Sequence, residues 1–128
     1  MSRDIEDVAR EIVDAAVQVH RALGPGLLES AYQQCFAYEL TKRGLQVENE
    51  IVVPIIYDKV EIGTGFRLDT LVEKQVIVEH KAVDQVFPIH EAQLLTYHKL
   101  TGHRLGFLLN WNVLLMKHGI KRMIYDKK

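Results

Sequence analysis

The chain has 128 residues, of which 48% are hydrophobic and 26% are charged, so we expect one globular domain over 1–128. No apolar run reaches the ~20 residues that a membrane span requires, and the polar, acidic N-terminus is unlike a signal peptide. One cysteine, Cys35, can form neither an internal disulfide nor a cysteine-based zinc site. We therefore predict a cytoplasmic protein with no membrane partner.

Charge is distributed unevenly along the chain. Residues 1–97 contain nine Lys or Arg and sixteen Asp or Glu, whereas 98–128 contain seven Lys or Arg and one acid, Asp126. A basic segment beside an acidic body can contact a polyanion, but equally often it is only a solvated surface. Charge alone therefore leaves nucleic-acid binding open.

Periodicity predicts two helices at the start of the chain. Apolar residues recur every three or four positions over 4–23, and residues 24–26 (Gly-Pro-Gly) end this helix because proline cannot continue it. A second helix is expected over about 27–43, closed by Gly44. Five of its residues are expected to face the core: Leu27, Ala31, Cys35, Tyr38 and Leu40.

The spacing then changes to that of strands, which are predicted over 47–57, 60–72 and 75–83. Pro54 makes the first an edge strand or a bulged one. After Pro88, which is expected to open a loop, 91–101 is predicted to be a third helix. The run 104–111 is typical of a strand buried on both faces, and a short strand is expected near 120–124. A helix between strand groups implies a crossover, so the chain is predicted to form a mixed α/β sheet with helices on both faces.

Charged residues enter two of these strands at matching positions. Residues two apart on a strand share a face, so Glu79 and Lys81 project together while His80 points away. If residues 73–75 form a three-residue turn, Asp69 lies opposite Glu79 on the same face; a two-residue turn would separate them. Two carboxylates at one place repel each other unless a divalent cation lies between them. The strand pair therefore predicts a metal site, although a solvated face with a Lys–Glu pair is the commoner meaning of so short a pattern.

The cation that fits such a site is Mg²⁺ or Mn²⁺, which binds carboxylates together with water and phosphate and lowers the pKa of its bound water. Lys81 could then stabilise negative charge on a phosphate or orient the attacking water. The six histidines show no zinc-ligand spacing. His20 is expected to cap the turn after the first helix or to reach the site, and His80 to lie neutral and hydrogen-bonded beneath a helix. Cys35 and Trp111 are expected in the core.

Several ordered motifs make the chain resemble a known family. Residues 19–32 (Val-His-Arg-Ala-Leu-Gly-Pro-Gly-Leu-Leu-Glu-Ser-Ala-Tyr) resemble the signature of the GxxExxY protein family, which belongs to the PD-(D/E)XK nuclease superfamily. The resemblance implies a restriction-endonuclease-like αβββαβ core over 27–111, with 1–23 as an added helix and 112–128 as a basic extension. Four further segments carry the resemblance: 66–69 (Phe-Arg-Leu-Asp), 79–83 (Glu-His-Lys-Ala-Val), 92–97 (Ala-Gln-Leu-Leu-Thr-Tyr) and 106–111 (Gly-Phe-Leu-Leu-Asn-Trp).

The resemblance also implies roles for single residues. Asp69 and Glu79 match the metal-binding acids of the superfamily, and Lys81 matches its catalytic lysine. Glu29 matches a further metal ligand of RecB-like members. The chain departs from the family pattern at His80, where an aliphatic residue is usual, and the proline that often precedes the first acid is replaced by Leu68.

Gln93 and Tyr97 resemble the Q-x-x-x-Y motif that flanks the site in the same RecB-like branch. Their spacing of four residues, like the spacing of three between Glu29 and Tyr32, places each pair on one helix face. Glutamine and tyrosine can donate hydrogen bonds to phosphate without adding charge. Five residues are therefore expected to contact substrate, two of them from the basic third of the chain: Tyr32, Gln93, Tyr97, Lys99 and Arg104.

The predicted function is hydrolysis of phosphodiester bonds, in DNA, by metal-activated water. Glu29, Asp69 and Glu79 are the expected metal ligands, and Lys81, with Gln93 and Tyr97, completes the catalytic set. Two alternatives stay open: a nuclease-like module that binds nucleic acid or a partner protein without cleaving, and a subunit whose metal only stabilises it. So small a domain offers little surface for DNA, which predicts a homodimer.

Overall fold

The protein is described by a computed structural model that covers residues 3–126. Its helices and strands follow the expected order, so the restriction-endonuclease-like αβββαβ core, preceded by one added helix, is confirmed. The elements are α1 (Ile5–Leu23), α2 (Glu29–Lys42), β1 (Val47–Tyr57), β2 (Val60–Val72), β3 (Val76–Lys81), α3 (Pro88–Thr101), β4 (Leu105–Asn110), a 3₁₀ turn (Met116–His118) and β5 (Ile120–Ile124).

The five strands form one mixed sheet in the order β1-β2-β3-β4-β5. β1, β2 and β3 pair antiparallel, α3 crosses over to place β4 parallel to β3, and β5 returns antiparallel to β4. Val72 pairs with Val76, so residues 73–75 form the three-residue turn that the site requires. β3 and β4 lie in the middle of the sheet and are buried over almost their whole length, as the continuous apolar run of 104–111 predicts.

Helices cover both faces of the sheet, and each face has its own hydrophobic cluster. α1 and α2 pack on one face, where Ile12, Phe36 and Trp111 are completely buried. α3 packs on the other face, where its Leu94 joins Leu68 and Leu108 of the sheet. The added helix α1 therefore supplies part of the main core, and Trp111 lies in the core as expected.

The inward side of α2 differs from the prediction. Its core residues, besides Leu40, are Tyr32, Gln33 and Phe36, whereas Cys35 is exposed and Tyr38 is 69% exposed. The helix begins at Glu29. Its buried stripe, residues 32, 36 and 40, is next to the predicted stripe of 31, 35 and 38, so the helix is rotated about its axis by the angle between successive residues.

The start of α3 also differs from the prediction, since Pro88 is the first residue of the helix rather than part of a loop. Proline is well accommodated there because the N–H that it lacks would have no partner inside the helix.

The hairpin of β1 and β2 extends beyond the rest of the sheet. β3 pairs with β2 only over Thr70–Val72, so the part of the hairpin between Ile51 and Leu68 has no third strand beside it. We call this part, residues 51–68, the arm. A bulge kinks it at Pro54, where a side chain at Gly65 would collide with the carbonyl of Val53. At ~3.3 Å per residue the arm is long enough to reach ~25 Å past the last β2–β3 pair.

The basic C-terminal segment adds the last strand and is partly neutralised by the body of the protein. Arg122 on β5 pairs with Glu6 of α1 at 2.7 Å, and Lys121 pairs with Glu91 of α3 at 3.3 Å. β5 is thus an edge strand tied to both helical layers. Within residues 3–126, no helix is both long and apolar enough to cross a membrane.

Candidate active site

Asp69 and Glu79 face each other where β2 and β3 separate. The last backbone pair between the two strands is Thr70 with Val78. Beyond it, carboxylate oxygens replace backbone carbonyls as hydrogen-bond acceptors between the strands. The N–H of Asp69 donates to Oε2 of Glu79 at 2.9 Å, and the N–H of His80 donates to Oδ2 of Asp69 at 2.9 Å. The two carboxylates therefore lie opposite each other, as the three-residue turn predicts.

Burial makes this pair costly to ionise. Glu79 is only 5% exposed, and its pKa is raised to about 8, first by loss of solvent and then by the negative charge of Asp69. The pKa of Asp69 is likewise raised by burial. The ammonium of Lys81 opposes both shifts. A cation bound between the two carboxylates would act in the same direction as Lys81 and more strongly.

Glu29 approaches this pair from the first turn of α2. Its pKa is raised by burial and by the charge of Asp69, and Lys81 lowers it, so its carboxylate lies within electrostatic reach of both. Even so, within residues 3–126 no group of three His, Cys, Asp or Glu side chains is arranged to hold a metal ion. Carboxylate oxygens are the type of ligand that Mg²⁺ and Mn²⁺ prefer. Asp69 and Glu79 lie together, whereas Glu29, the third predicted ligand, is not grouped with them.

The backbone that follows Lys81 is held by the end of β4. The N–H of Trp111 donates to the carbonyl of Lys81 at 2.9 Å. The amide of Asn110 binds both backbone groups of Val83, accepting from its N–H at 3.1 Å and donating to its carbonyl at 3.0 Å. Asn110 thus prolongs the β3–β4 ladder past the last strand residue and restrains the segment that carries Lys81. Sequence reasoning missed this role, although a buried amide closing an apolar run was a usable signal.

Tyr97 of α3 closes the other side of the pair. It is 9% exposed and stacks on Phe66 with 4.6 Å between ring centroids. Its pKa is raised by burial and by the charges of Glu79 and Asp69, and a hydrogen bond with Gln93 opposes the shift. Gln93 and Tyr97 line a surface depression of about 350 Å³. The structure therefore brings these two predicted residues together beside the carboxylates.

Two residues near the pair were not predicted. The side-chain amide of Gln33 donates to the backbone carbonyl of Asp69 at 2.9 Å and to Oε1 of Glu50 at 3.0 Å. Glu50 has a positive φ of 55° in β1, and its charge contributes to the raised pKa values of Asp69 and Glu29. These contacts join α2, β1 and β2, so they depend on the rotation of the helix and on strand register, and no sequence motif marks them.

The prediction that Tyr32 contacts substrate is wrong in this structure. Tyr32 is completely buried and stacks on Trp111 with 5.0 Å between centroids. Its hydroxyl donates to the carbonyl of Gly24 at 2.5 Å and accepts from the N–H of Leu27 at 3.1 Å. The tyrosine of the signature stretch therefore holds the turn between α1 and α2, and so positions the start of the helix that carries Glu29.

The basic residues Lys99 and Arg104 do not lie at the carboxylate pair. Arg104 precedes β4, whose first residue pairs with Val76 at the far end of β3, and it binds Asp126 at 2.9 Å. Lys99 is exposed, two residues beyond Tyr97 and hence on another side of α3. Neither is among the charges that shift the pKa values of Asp69 and Glu79, and their contact with nucleic acid stays a prediction.

Two histidines have structural roles. His80 is completely buried on the face opposite Glu79, and its pKa is lowered to about 3 by burial, in agreement with the neutral, hydrogen-bonded role predicted for it. His20 lies 2.8 Å from the carbonyl of Val113, to which it donates through Nε2. It therefore joins α1 to the segment after β4, and its ring neither caps the Gly-Pro-Gly turn nor reaches the carboxylates.

The two larger cavities lie away from Asp69, Glu79 and Lys81. A groove of about 660 Å³ separates α1 from β5, and one of about 520 Å³ lies between the end of α1 and residues 114–117. Of the candidate residues named from the sequence, His20 alone lines one of these two grooves, the second. The carboxylate pair lies instead near the end of the sheet at which β3 and β4 both finish.

Comparison with known families identifies the class of protein. The family model of the PD-(D/E)XK nuclease superfamily matches residues 6–123, from the first turn of α1 into β5. The chain belongs to this superfamily and has its nuclease fold. No curated protein and no solved structure matches the chain.

Proposed function

We propose that this chain is a metal-dependent nuclease that hydrolyses phosphodiester bonds of DNA. The observation that carries the proposal is the buried pair of Asp69 and Glu79 facing Lys81, with the pKa of Glu79 raised to about 8. Strongly perturbed acids with a specific charge partner concentrate at functional sites. Together with the superfamily, the residue types and their geometry favour phosphoryl chemistry.

Asp69 and Glu79 would hold Mg²⁺ or Mn²⁺, and Glu29 would join them by a change of side-chain rotamer. When bound, such an ion lowers the pKa of a coordinated water and neutralises charge on the scissile phosphate. Lys81 places an ammonium beside the same carboxylates, where it orients the attacking water or stabilises the charge that develops on phosphorus-bound oxygens. Tyr97 remains protonated at neutral pH because its pKa is raised, so it can donate a hydrogen bond to the phosphate, as can Gln93.

The finer assignment proposed is to the GxxExxY family in the RecB-like branch. It is supported by the position of Glu29 at the first residue of α2 and by the pairing of Gln93 with Tyr97 beside the carboxylates. We further propose a reducing, cytoplasmic location, which suits the exposed and unpaired thiol of Cys35.

The first prediction tests the activity itself. Purified protein with Mg²⁺ or Mn²⁺ is expected to cleave DNA, and linear, circular and branched DNA and RNA should be assayed side by side. Lys81→Ala and Asp69→Asn are each expected to lower the rate ~100-fold or more, since the first removes the positive charge beside the reacting phosphate and the second a charged metal ligand. Lys74→Ala, in the turn at the far end of β3, is the matched control and should cleave at the wild-type rate.

A second candidate is a module that binds nucleic acid or a partner protein without cleaving it. It is favoured by one observation: both carboxylates already accept backbone hydrogen bonds, and within residues 3–126 no three-ligand group is assembled. Titration calorimetry separates the candidates. Binding of DNA with no cleavage under any metal would support the module, whereas Mg²⁺ binding that Asp69→Asn abolishes, without cleavage or DNA binding, would indicate a metal that serves stability alone.

A further inference from the structure

The tip of the arm carries a concentrated apolar surface. Beyond the bulge, Ile55 pairs with Ile62 and Tyr57 pairs with Val60. Cross-strand partners and residues two apart share a face, so all four side chains project from the same side of the ribbon. Their exposed fractions are 36% for Ile55, 50% for Ile62, 73% for Tyr57 and 54% for Val60. We call these four residues the arm patch.

A free ribbon with such a patch is unusual. A two-stranded hairpin without a third strand or a helix beside it is only marginally stable in water, and the arm has neither over the tip. The four side chains expose on the order of 400 Å² of apolar surface, the size of patch that on a monomer is often an interaction site. Covering the arm patch would therefore stabilise the hairpin by removing its apolar side chains from water.

We propose that the arm patch is the interface through which two copies of this chain form a homodimer. A standard interface buries ~800 Å² on each partner, somewhat more than half of it apolar, and the arm patch with its polar border supplies an area of that order. Two ribbons stacked face to face would form a small two-layer sheet with a packed centre. The arrangement is two-fold, so each copy uses the same residues.

Charge favours a second copy over nucleic acid as the occupant. The tip contains Asp58, Lys59 and Glu61, so it has no excess of positive charge with which to hold a phosphate backbone. In a two-fold stack of ribbons, Lys59 of each copy can lie beside an acid of the other, which makes the surface self-complementary. The inference does not depend on nuclease activity. Because β2 also carries Asp69, the dimer would set the relative position of two carboxylate pairs.

The second prediction is the oligomeric state. Sedimentation velocity across roughly 1–100 µM is expected to show a species of twice the chain mass. The double variant Tyr57→Glu/Val60→Lys replaces an apolar cross-strand pair by an oppositely charged one, which keeps the hairpin paired. It should raise the dimer dissociation constant ~100-fold or more. The matched control is Leu114→Glu, at a side chain that is 88% exposed and lies outside the arm, which should leave the dimer intact.

A second measurement guards against misfolding of the double variant. In a Cys35→Ser background, Ile62→Cys is expected to be joined into covalent dimers by a short bismaleimide, whereas Leu114→Cys is not. A wild-type protein that is monomeric at every concentration would overturn the proposal. So would a folded double variant that still dimerises, efficient cross-linking through Leu114→Cys in place of Ile62→Cys, or an arm that binds only another protein or DNA.

Discussion

At the scale of single residues, the buried side of the site is organised by a directional chain of hydrogen bonds. The indole of Trp111 can only donate, so Nδ1 of His80, 3.1 Å away, is the unprotonated nitrogen. Nε2 then carries the proton and donates to the hydroxyl of Thr70 at 3.0 Å, and that hydroxyl donates to Asn49 at 2.9 Å. This series of hydrogen bonds joins the residue after β4 to β3, β2 and β1, on the face of the sheet opposite Glu79.

The third prediction follows from this chain. Thr70→Val keeps the side-chain shape but leaves the Nε2–H of His80 without an acceptor, and an unpaired buried donor costs ~1–3 kcal/mol. The free energy of unfolding, measured by urea denaturation, should fall by that amount. The same substitution at Thr96, an exposed residue whose hydroxyl bonds only within α3, is the control and should change stability by less than ~0.5 kcal/mol. Equal effects of the two substitutions would contradict the chain.

At the scale of elements, the packing of α3 on β4 depends on one glycine. His98 of α3 is completely buried, and its Nδ1 donates to the carbonyl of His103 at 2.6 Å. Its other nitrogen, Nε2, faces Gly106 of β4, where a Cβ would collide with the imidazole. The same Nε2 has no hydrogen-bond partner within residues 3–126. The absence of a side chain at Gly106 therefore lets the helix lie close to the strand that pairs with β3.

The fourth prediction is a thermodynamic coupling between these two positions. Gly106→Ala should lower the free energy of unfolding by ~1–3 kcal/mol, because neither the helix nor the central strand can move freely. His98→Ala removes the side chain with which the new methyl collides. In a double-mutant cycle the two changes together should therefore cost less than their sum, by ~0.5 kcal/mol or more. Strict additivity would show that the methyl collides with something other than His98.

The elements also show what the sequence could predict and where it could not. The strands, their three-residue turn and the pairing of Asp69 with Glu79 follow from apolar spacing and turn length, which are local. The prediction of which side of α2 is buried was wrong, because that helix buries the polar Gln33 and exposes Cys35. The positions of its apolar residues therefore do not show which side faces the core. The contacts of Glu50 depend both on the register of β1 against β2 and on the rotation of α2 about its axis. Neither can be read from the residues next to Glu50 in the sequence.

Tyr32 illustrates a different limit. A tyrosine one turn after a candidate metal ligand is equally consistent with a substrate contact and with a core residue that uses its hydroxyl for a backbone group. The structure decides for the second, because Gly24 and Leu27 occupy the hydroxyl. The signature stretch therefore combines one residue directed at the site, Glu29, with one directed at the core.

At the scale of the whole molecule, two buried groups make stability depend on pH in opposite ways. Glu79 has a pKa of about 8 in place of 4.5, so the native state keeps a proton that the unfolded chain loses, and the free energy of unfolding falls as pH rises from 4.5 to about 8. His80 has a pKa of about 3 in place of 6.5, so the unfolded chain binds a proton that the native state refuses, and stability falls as pH decreases below 6.5. Between 4.5 and 6.5 the two effects oppose each other.

The fifth prediction concerns the range above pH 6.5, where, of these two groups, only Glu79 still changes its protonation. At ~1.4 kcal/mol per pH unit for one proton, metal-free protein should lose about 2 kcal/mol of stability between pH 6.5 and 8. Glu79→Gln, which cannot ionise, should show a much smaller loss in the same buffers. Mg²⁺ binds the ionised carboxylates, so at pH 8 it should raise the Tm of the wild type, by an amount that grows with its concentration, and leave the Tm of Glu79→Gln nearly unchanged. Parallel pH profiles for the two proteins would mean that Glu79 is already ionised without a cation. An equal rise in Tm with Mg²⁺ would mean that the carboxylate pair does not bind the metal.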